Sequence, residues 1–236
     1  LRNSDASYFM FCDQDDVWLP EKIEKTLARM QQLELEYGNI PLLVHTDLEI
    51  VDSALQPISP SMWEYENILP YKNTFNRLLI QNTITGCTAM INRALAKKSS
   101  SIPNSAIMHD WWLGLVASQF GQIGYISMPT IKYRQHARNT IGVKRFRINL
   151  IWITCSVLYR LFGSRQEYLK SLMVNIEQAD GFLKTYDDVL SDSSKNLLRD
   201  FITLPQKNWL QRRLIIIRRR LWKQGVFRNL LHIISV

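Results

Sequence analysis

Cysteine is scarce in this chain of 236 residues: Cys12, Cys87 and Cys155 are widely spaced, odd in number and set in apolar runs. That pattern supports neither a disulfide framework nor a CxxC-type zinc site, and it points to a reducing compartment. No charged segment followed by an apolar one opens the sequence, so no signal peptide is expected. A bilayer span takes about 20 apolar residues, and the stretch from Leu150 to Leu158 is far too short to be one. Internal repeats and low-complexity segments are also missing. Acidic residues stop at Asp200, so the last part of the chain has no negative side chain at all.

What is present is a globular composition, 46% hydrophobic and 21% charged, with mean hydropathy −0.14. This excludes disordered, collagen-like and mucin-like chains, and the length suits one large α/β domain or one domain with an appendage. The net charge of +8 is unevenly placed: residues 1–200 carry 21 basic and 21 acidic side chains, and eight further bases follow Asp200. Those bases are interleaved with Trp209, Leu214, Ile215, Ile216, Ile217, Leu221, Trp222, Val226 and Phe227. Apolar residues between arginines suit an anionic membrane surface better than a nucleic-acid groove, and no helix-turn-helix, zinc or RNP-like context accompanies them. A membrane-surface partner is therefore expected, with Arg218, Arg219, Arg220 and Lys223 meeting lipid, and no nucleic acid.

Tyr8 to Cys12 reads as a buried parallel strand that delivers polar residues to its carboxyl edge. Such a strand normally has earlier strands beside it, and residue 1 is not methionine, so the first βαβ units of the domain are expected to precede Leu1. Pro20, followed by Ile23, Leu27, Met30, Leu33 and Leu35 with Gly38 behind, predicts a sheet-packing amphipathic helix over about 20–37. Strands are expected at Leu42 to Val51, Ile84 to Ile91, Ile123 to Ser127 and Ile131 to Arg134, and helices at Phe75 to Ile80 and Asp110 to Phe120, the last stopped by Gly121. After about 145 the pattern turns helical, first with Leu158, Leu161 and Phe162, then with Leu169, Leu172, Met173 and Ile176. The expected division is an α/β domain over 1–145 and a helical region over 146–236.

The most informative string is Tyr8-Phe9-Met10-Phe11-Cys12-Asp13-Gln14-Asp15-Asp16-Val17-Trp18. Three carboxylates within four residues repel one another unless a cation or a set of donors neutralises them, and a divalent metal is the simplest neutraliser. A solvated turn ending in a helix N-cap accounts for the same residues. Trp111 and Trp112 are adjacent, so on a helix they face different directions.

Four segments together resemble family 2 glycosyltransferases, above all the bacterial rhamnosyltransferases of cell-wall and surface-polysaccharide assembly. They are FMFCDQDDVW, TGCTAMINR at Thr85 to Arg93, His109-Asp110 before Trp111-Trp112, and YRQHARN at Tyr133 to Asn139. The resemblance covers residues 1 to about 145, and the tail only loosely. It implies a GT-A-like, Rossmann-like mixed sheet lacking its N-terminal strands, with a helical C-terminal region. It implies metal-dependent, inverting transfer of a hexose, L-rhamnose from dTDP-rhamnose, onto a lipid-linked or cell-surface glycan at the cytoplasmic face of the inner membrane.

The same resemblance gives each residue a role. Asp13 and Asp15 hold Mn²⁺ or Mg²⁺, which grips the diphosphate of the nucleotide-sugar donor; Asp15 is the direct ligand and Asp13 faces the ribose or sugar. His136 completes the metal site or contacts the diphosphate, and an imidazole ligand favours Mn²⁺. Arg134 and Arg138 add positive charge there, while Gly86 and Cys87 let donor or acceptor sugar approach the backbone. Asp110 is the general base for the acceptor hydroxyl. His109 stands where the family pattern has an acidic residue.

Two other functions fit parts of the sequence. Asp13-x-Asp15-x-Val17 after an apolar strand also matches the nucleophile motif of haloacid-dehalogenase-like phosphohydrolases. Such an enzyme needs a later strand ending in paired aspartates, for which Asp187-Asp188 is the candidate, though the residues before it have helical character. A non-catalytic relic of a glycosyltransferase is the third reading.

Overall fold

The computed structural model describes residues 4–135 and 165–236. Along the chain come β1 (Tyr8–Met10), β2 (Val17–Trp18), α1 (Lys22–Tyr37), β3 (Leu42–Val51), β4 (Pro57–Ser59), α2 (Met62–Glu66), α3 (Phe75–Leu78), β5 (Met90–Asn92), α4 (Arg93–Lys98), α5 (His109–Phe120) and β6 (Gln122–Arg134). Four more helices follow, α6 (Arg165–Tyr186), α7 (Asp192–Ile202), α8 (Trp209–Arg218) and α9 (Val226–Ser235). The architecture is mixed α/β with a mixed sheet and a helical C-terminal region. Two compact units form, one from residues 4–73, 83–100 and 109–135, the other from 74–82, 101–108 and 165–236. The expected boundary at 145 lies outside the described residues, as do Leu150 to Leu158, Leu161 and Phe162.

The first unit is built on a six-stranded sheet in the order β1-β5-β3-β6-β2, with β4 also on β3. β3 lies at its centre, as its apolar run requires, parallel to β6 and antiparallel to β5. Met30 and Leu33 of α1 pack with Leu42 and Val44 of β3 and Met90 of β5. The buried stripe of α1 is Lys22, Thr26, Met30 and Leu33, a helical repeat whose first two members are polar. Ile23 and Leu35, expected on that stripe, face solvent instead, at 54% and 89% exposure. The helix ends at Gly38, whose φ of 74° suits only a residue without Cβ.

Three strand expectations need correction. β1 is antiparallel to β5, with Tyr8 opposite Asn92 and Met10 opposite Met90, and its residues are only half-buried. A short apolar run reports burial but carries no direction. Ile84 to Ile91 is not a continuous strand: a 3-10 turn at Gly86–Thr88 precedes β5, and the Thr88 hydroxyl donates to the Thr85 carbonyl at 2.7 Å. The two short strands placed at 123–127 and 131–134 are one strand, β6. Its pairing with β3 shifts register at Asp47, opposite Pro129, and a proline lacking a donor fits at such an irregularity.

Asp110 to Phe120 is helical as expected, within α5, and Gly121 does follow its last residue. A Cβ at Gly121 would lie 1.7 Å from the Pro41 carbonyl oxygen, which accepts the Gln122 N–H at 3.0 Å. The glycine is needed there for this close approach. Trp112 is fully buried and Trp111 half-buried, as adjacent helical positions require.

The second unit is helical. Phe182 of α6 packs on Phe75 of α3 at 5.1 Å between ring centroids and on Tyr186 at 4.8 Å, beside buried Ala179, Leu198 and Phe201. Leu172 and Ile176 of α6 are buried while Met173 is exposed. Ser191 caps α7, and Asn208 with Gln211 forms a capping box on α8. Among the described residues no helix is long and apolar enough to cross a membrane.

Candidate active site

β1 runs into a loop from Phe11 to Asp16 that returns as β2, where Val17 pairs with Lys132 and Trp18 with Ile131 of β6. Arg134, at the end of β6, ties this loop down. Its backbone N–H donates to Asp16 Oδ1 at 3.1 Å, its Nε donates to the Asp15 carbonyl at 2.9 Å, and its guanidinium also reaches the Ser53 carbonyl. The expected charge for a diphosphate is thus engaged in shaping the carboxylate loop.

One side-chain ligand atom each from Asp13, Asp16 and Cys87 lies within 4.8 Å of the others. Asp13 is exposed, Asp16 half-buried and Cys87 buried. Asp16 Oδ2 is shielded from solvent without a hydrogen-bond partner among the described residues. Burial pushes the Asp16 carboxyl above the usual carboxylate range, opposed by hydrogen bonds from the Arg134 N–H and the Cys87 thiol and helped by the Asp13 and Asp15 charges. Burial first, and then the Asp16 and Asp13 charges, push the Cys87 thiol up, so it stays protonated. Carboxylate oxygens gathered in this way fit a hard divalent cation. Asp15 belongs to the same loop, but the cluster that the structure assembles takes Asp16 with Asp13. His136 and Arg138 lie outside the described residues.

Asp110 stands in the first turn of α5, only 2% exposed, and its Oδ1 accepts the Trp111 N–H at 2.7 Å. Gly86 packs against it: a Cβ there would lie 3.0 Å from His109 Nε2 and 3.5 Å from Asp110 Cβ. The Phe11 ring lies 4.8 Å from the His109 imidazole, so the residues just before Asp13 also meet this helix start. Gly86 touches the His109-Asp110 pair and Cys87 joins the carboxylates, so the turn at 86–88 links the two groups.

Lys22 is a member of this neighbourhood that the sequence reading missed. It is fully buried, its Nζ has no hydrogen-bond partner among the described residues, and it sits 4.9 Å from the Trp18 ring centroid. Burial lowers its pKa to about 8, against the pull of Cys87, Cys12 and Asp16. Its only signal in the sequence is phase, since Lys22, Thr26 and Met30 are four residues apart on one helix. Asp47 was missed as well. Its Oδ1 accepts the N–H groups of Leu48 at 2.8 Å, Met62 at 3.1 Å and Trp63 at 3.2 Å, and its Oδ2 accepts the Ser61 hydroxyl. It is a structural acid that fastens the start of α2 to the bulge in β3.

Two known proteins are similar to this chain, both named uncharacterized glycosyltransferases, one from Rickettsia prowazekii and one from Rickettsia typhi. Each is 23% identical to it over 216 residues, covering 86% of this chain and 65% of the relative. The chain thus spans about 65% of the length of the curated relatives it matches. No family model matches it, and no solved structure matches it significantly.

Proposed function

We propose that this chain belongs to a metal-dependent, inverting glycosyltransferase of the GT-A type in family 2. The observation that carries the reading is the Asp13–Asp16 pair gathered beside Cys87, with a buried carboxylate oxygen left unpartnered. The names of the two similar proteins support sugar transfer in general, and the four sequence segments support the finer assignment.

In this reading the carboxylate loop, with Asp13, Asp15 and Asp16, holds Mn²⁺ or Mg²⁺, with His136 as a further ligand. The bound ion supplies charge that neutralises a departing nucleoside diphosphate. Arg134 keeps the loop in shape through the Asp15 carbonyl and the Asp16 carboxylate. Gly86 keeps the space beside His109 and Asp110 clear of a side chain. The Asp110 carboxylate takes the proton from the acceptor hydroxyl as that oxygen attacks the anomeric carbon, and a single displacement inverts the centre. The donor is dTDP-L-rhamnose, and the acceptor is a lipid-linked or cell-surface glycan at the cytoplasmic face of the membrane.

The test is transfer from a panel of nucleotide sugars, with and without Mn²⁺, by wild type and variants. Asp110→Asn should lower the rate constant by a factor on the order of 10² to 10⁴ while donor affinity is kept, the pattern for loss of a general base. A variant that binds donor poorly yet reacts normally when saturated would move Asp110 to donor binding. Metal-dependent donor binding at wild-type strength in Asp13→Asn, Asp15→Asn and Asp16→Asn alike would rule out the metal site.

A further inference from the structure

Helix α8 is held by one side and bare on another. Ile216 is fully buried, whereas Trp209, Leu210, Leu214 and Ile217 are 58%, 57%, 56% and 51% exposed. Leu210, Leu214 and Ile217 follow one another at helical spacings of four and three and share one face, with Trp209 at its edge in the first turn. Isolated exposed apolar residues are ordinary, but four large ones on ten residues form a patch.

The charge around the patch decides what covers it. The Arg213 guanidinium stacks 3.9 Å from the Trp209 ring centroid and donates to the Trp209 and Ile234 carbonyls at 2.9 and 3.0 Å, while Arg218 is exposed at the helix end. No acidic residue lies in α8 or anywhere after Asp200. A second copy of the same helix would bring arginines against arginines across a symmetric contact. An indole with a stacked guanidinium beside leucines matches the boundary between lipid headgroups and acyl chains.

We propose that the Trp209, Leu210, Leu214 and Ile217 face of α8 docks on an anionic phospholipid surface, with Arg218 at the headgroups. Of the four basic residues expected to meet lipid, Arg218 and Arg220 are exposed, and the other two are engaged within the protein. Arg219 is paired with Asp200, at 2.7 Å from Nε and 2.6 Å from the terminal nitrogen, and the Lys223 ammonium lies 5.0 Å from the Tyr168 ring. The inference is independent of the sugar-transfer reading, and its test measures no transfer.

The full chain is floated with vesicles of phosphatidylcholine alone and of phosphatidylcholine mixed with phosphatidylglycerol, at low and high salt. Wild type should float with the anionic vesicles at low salt, and the bound fraction should fall as salt screens the arginines. Leu210→Gln with Leu214→Gln and Ile217→Gln should weaken binding roughly tenfold or more. These side chains are exposed, so an unchanged thermal melt serves as the folding control. Arg218→Gln gives a second, milder variant, expected to reduce binding only with anionic vesicles. Equal flotation of wild type and the triple variant, or no flotation at low salt, overturns the proposal. A wild-type dimer that the triple variant turns into a monomer, with neither floating, assigns the face to a second copy and overturns it too.

Discussion

His45 sits within β3 with no exposure, opposite Tyr125 of β6 and 5.3 Å from the Trp63 ring centroid. Neither of its ring nitrogens has a hydrogen-bond partner among the described residues. Burial lowers its pKa from 6.5 to about 4. Between those values the unfolded chain binds a proton that the folded chain refuses, so this contribution to stability is complete above pH 6.5 and is lost as the pH falls toward 4. The shift corresponds to about 3 kcal/mol. His45→Leu should remove this part of the acid sensitivity, measured as the urea unfolding free energy at both ends of that window. Other groups titrate there as well, so the informative quantity is the difference between wild type and variant. An identical loss in both would mean that His45 is not held neutral by burial. The residue scale also shows why part of the site was hidden. Asp13 stands out because it opens a run of three carboxylates in four residues, whereas Gly86 and Asp110 are singled out by the resemblance of their segments to family 2 glycosyltransferases. Lys22 and Asp47 belong to residue types that usually face water, and only tertiary packing turns them inward.

At the scale of elements, the link between β3 and α2 depends on one side chain. Asp47 receives three backbone N–H groups and the Ser61 hydroxyl, and Ser61 in turn accepts the Glu64 N–H as the N-cap of α2. Burial pushes the Asp47 carboxyl up, while these four donors oppose the shift. Asp47→Ala should destabilise the fold by about 3 kcal/mol, because it orphans buried donors and loosens a helix start. Asp47→Asn keeps an acceptor oxygen and should cost about 1 kcal/mol. Equal losses in the two variants, read from denaturant midpoints at constant slope, would show that the charge matters and the acceptor does not. The long elements were legible in outline: β3 runs from Leu42 to Val51, as expected, and α5 starts one residue before its expected first residue. The turn at 86–88 and the continuity of β6 were not. A buried 3-10 turn and a buried strand show the same apolar pattern, and Pro129 interrupts the strand pattern of β6 although β3 pairs across it.

The two enzymatic readings of the aspartate string make different demands on the whole molecule. A haloacid-dehalogenase-like hydrolase needs a second pair of carboxylates at a strand end. Asp187 and Asp188 instead stand in a 3-10 turn after α6, in the helical unit, where Asp187 pairs with Lys195 at 3.2 Å. What gathers around Asp13 in the first unit is Asp16, Cys87 and the loop held by Arg134. The protein should therefore release nucleoside diphosphate from a nucleotide sugar mainly when a glycan acceptor is present, above a slow hydrolytic background. The measurement compares nucleoside diphosphate and inorganic phosphate released with and without acceptor, by wild type and Asp13→Asn. Acceptor-independent release of inorganic phosphate from simple phosphate esters, abolished by Asp13→Asn, would make Asp13 a nucleophile and replace the transferase reading with the hydrolase one. Release of nucleoside diphosphate that follows acceptor concentration and disappears in Asp110→Asn would instead tie the carboxylate loop and the start of α5 to one transfer reaction.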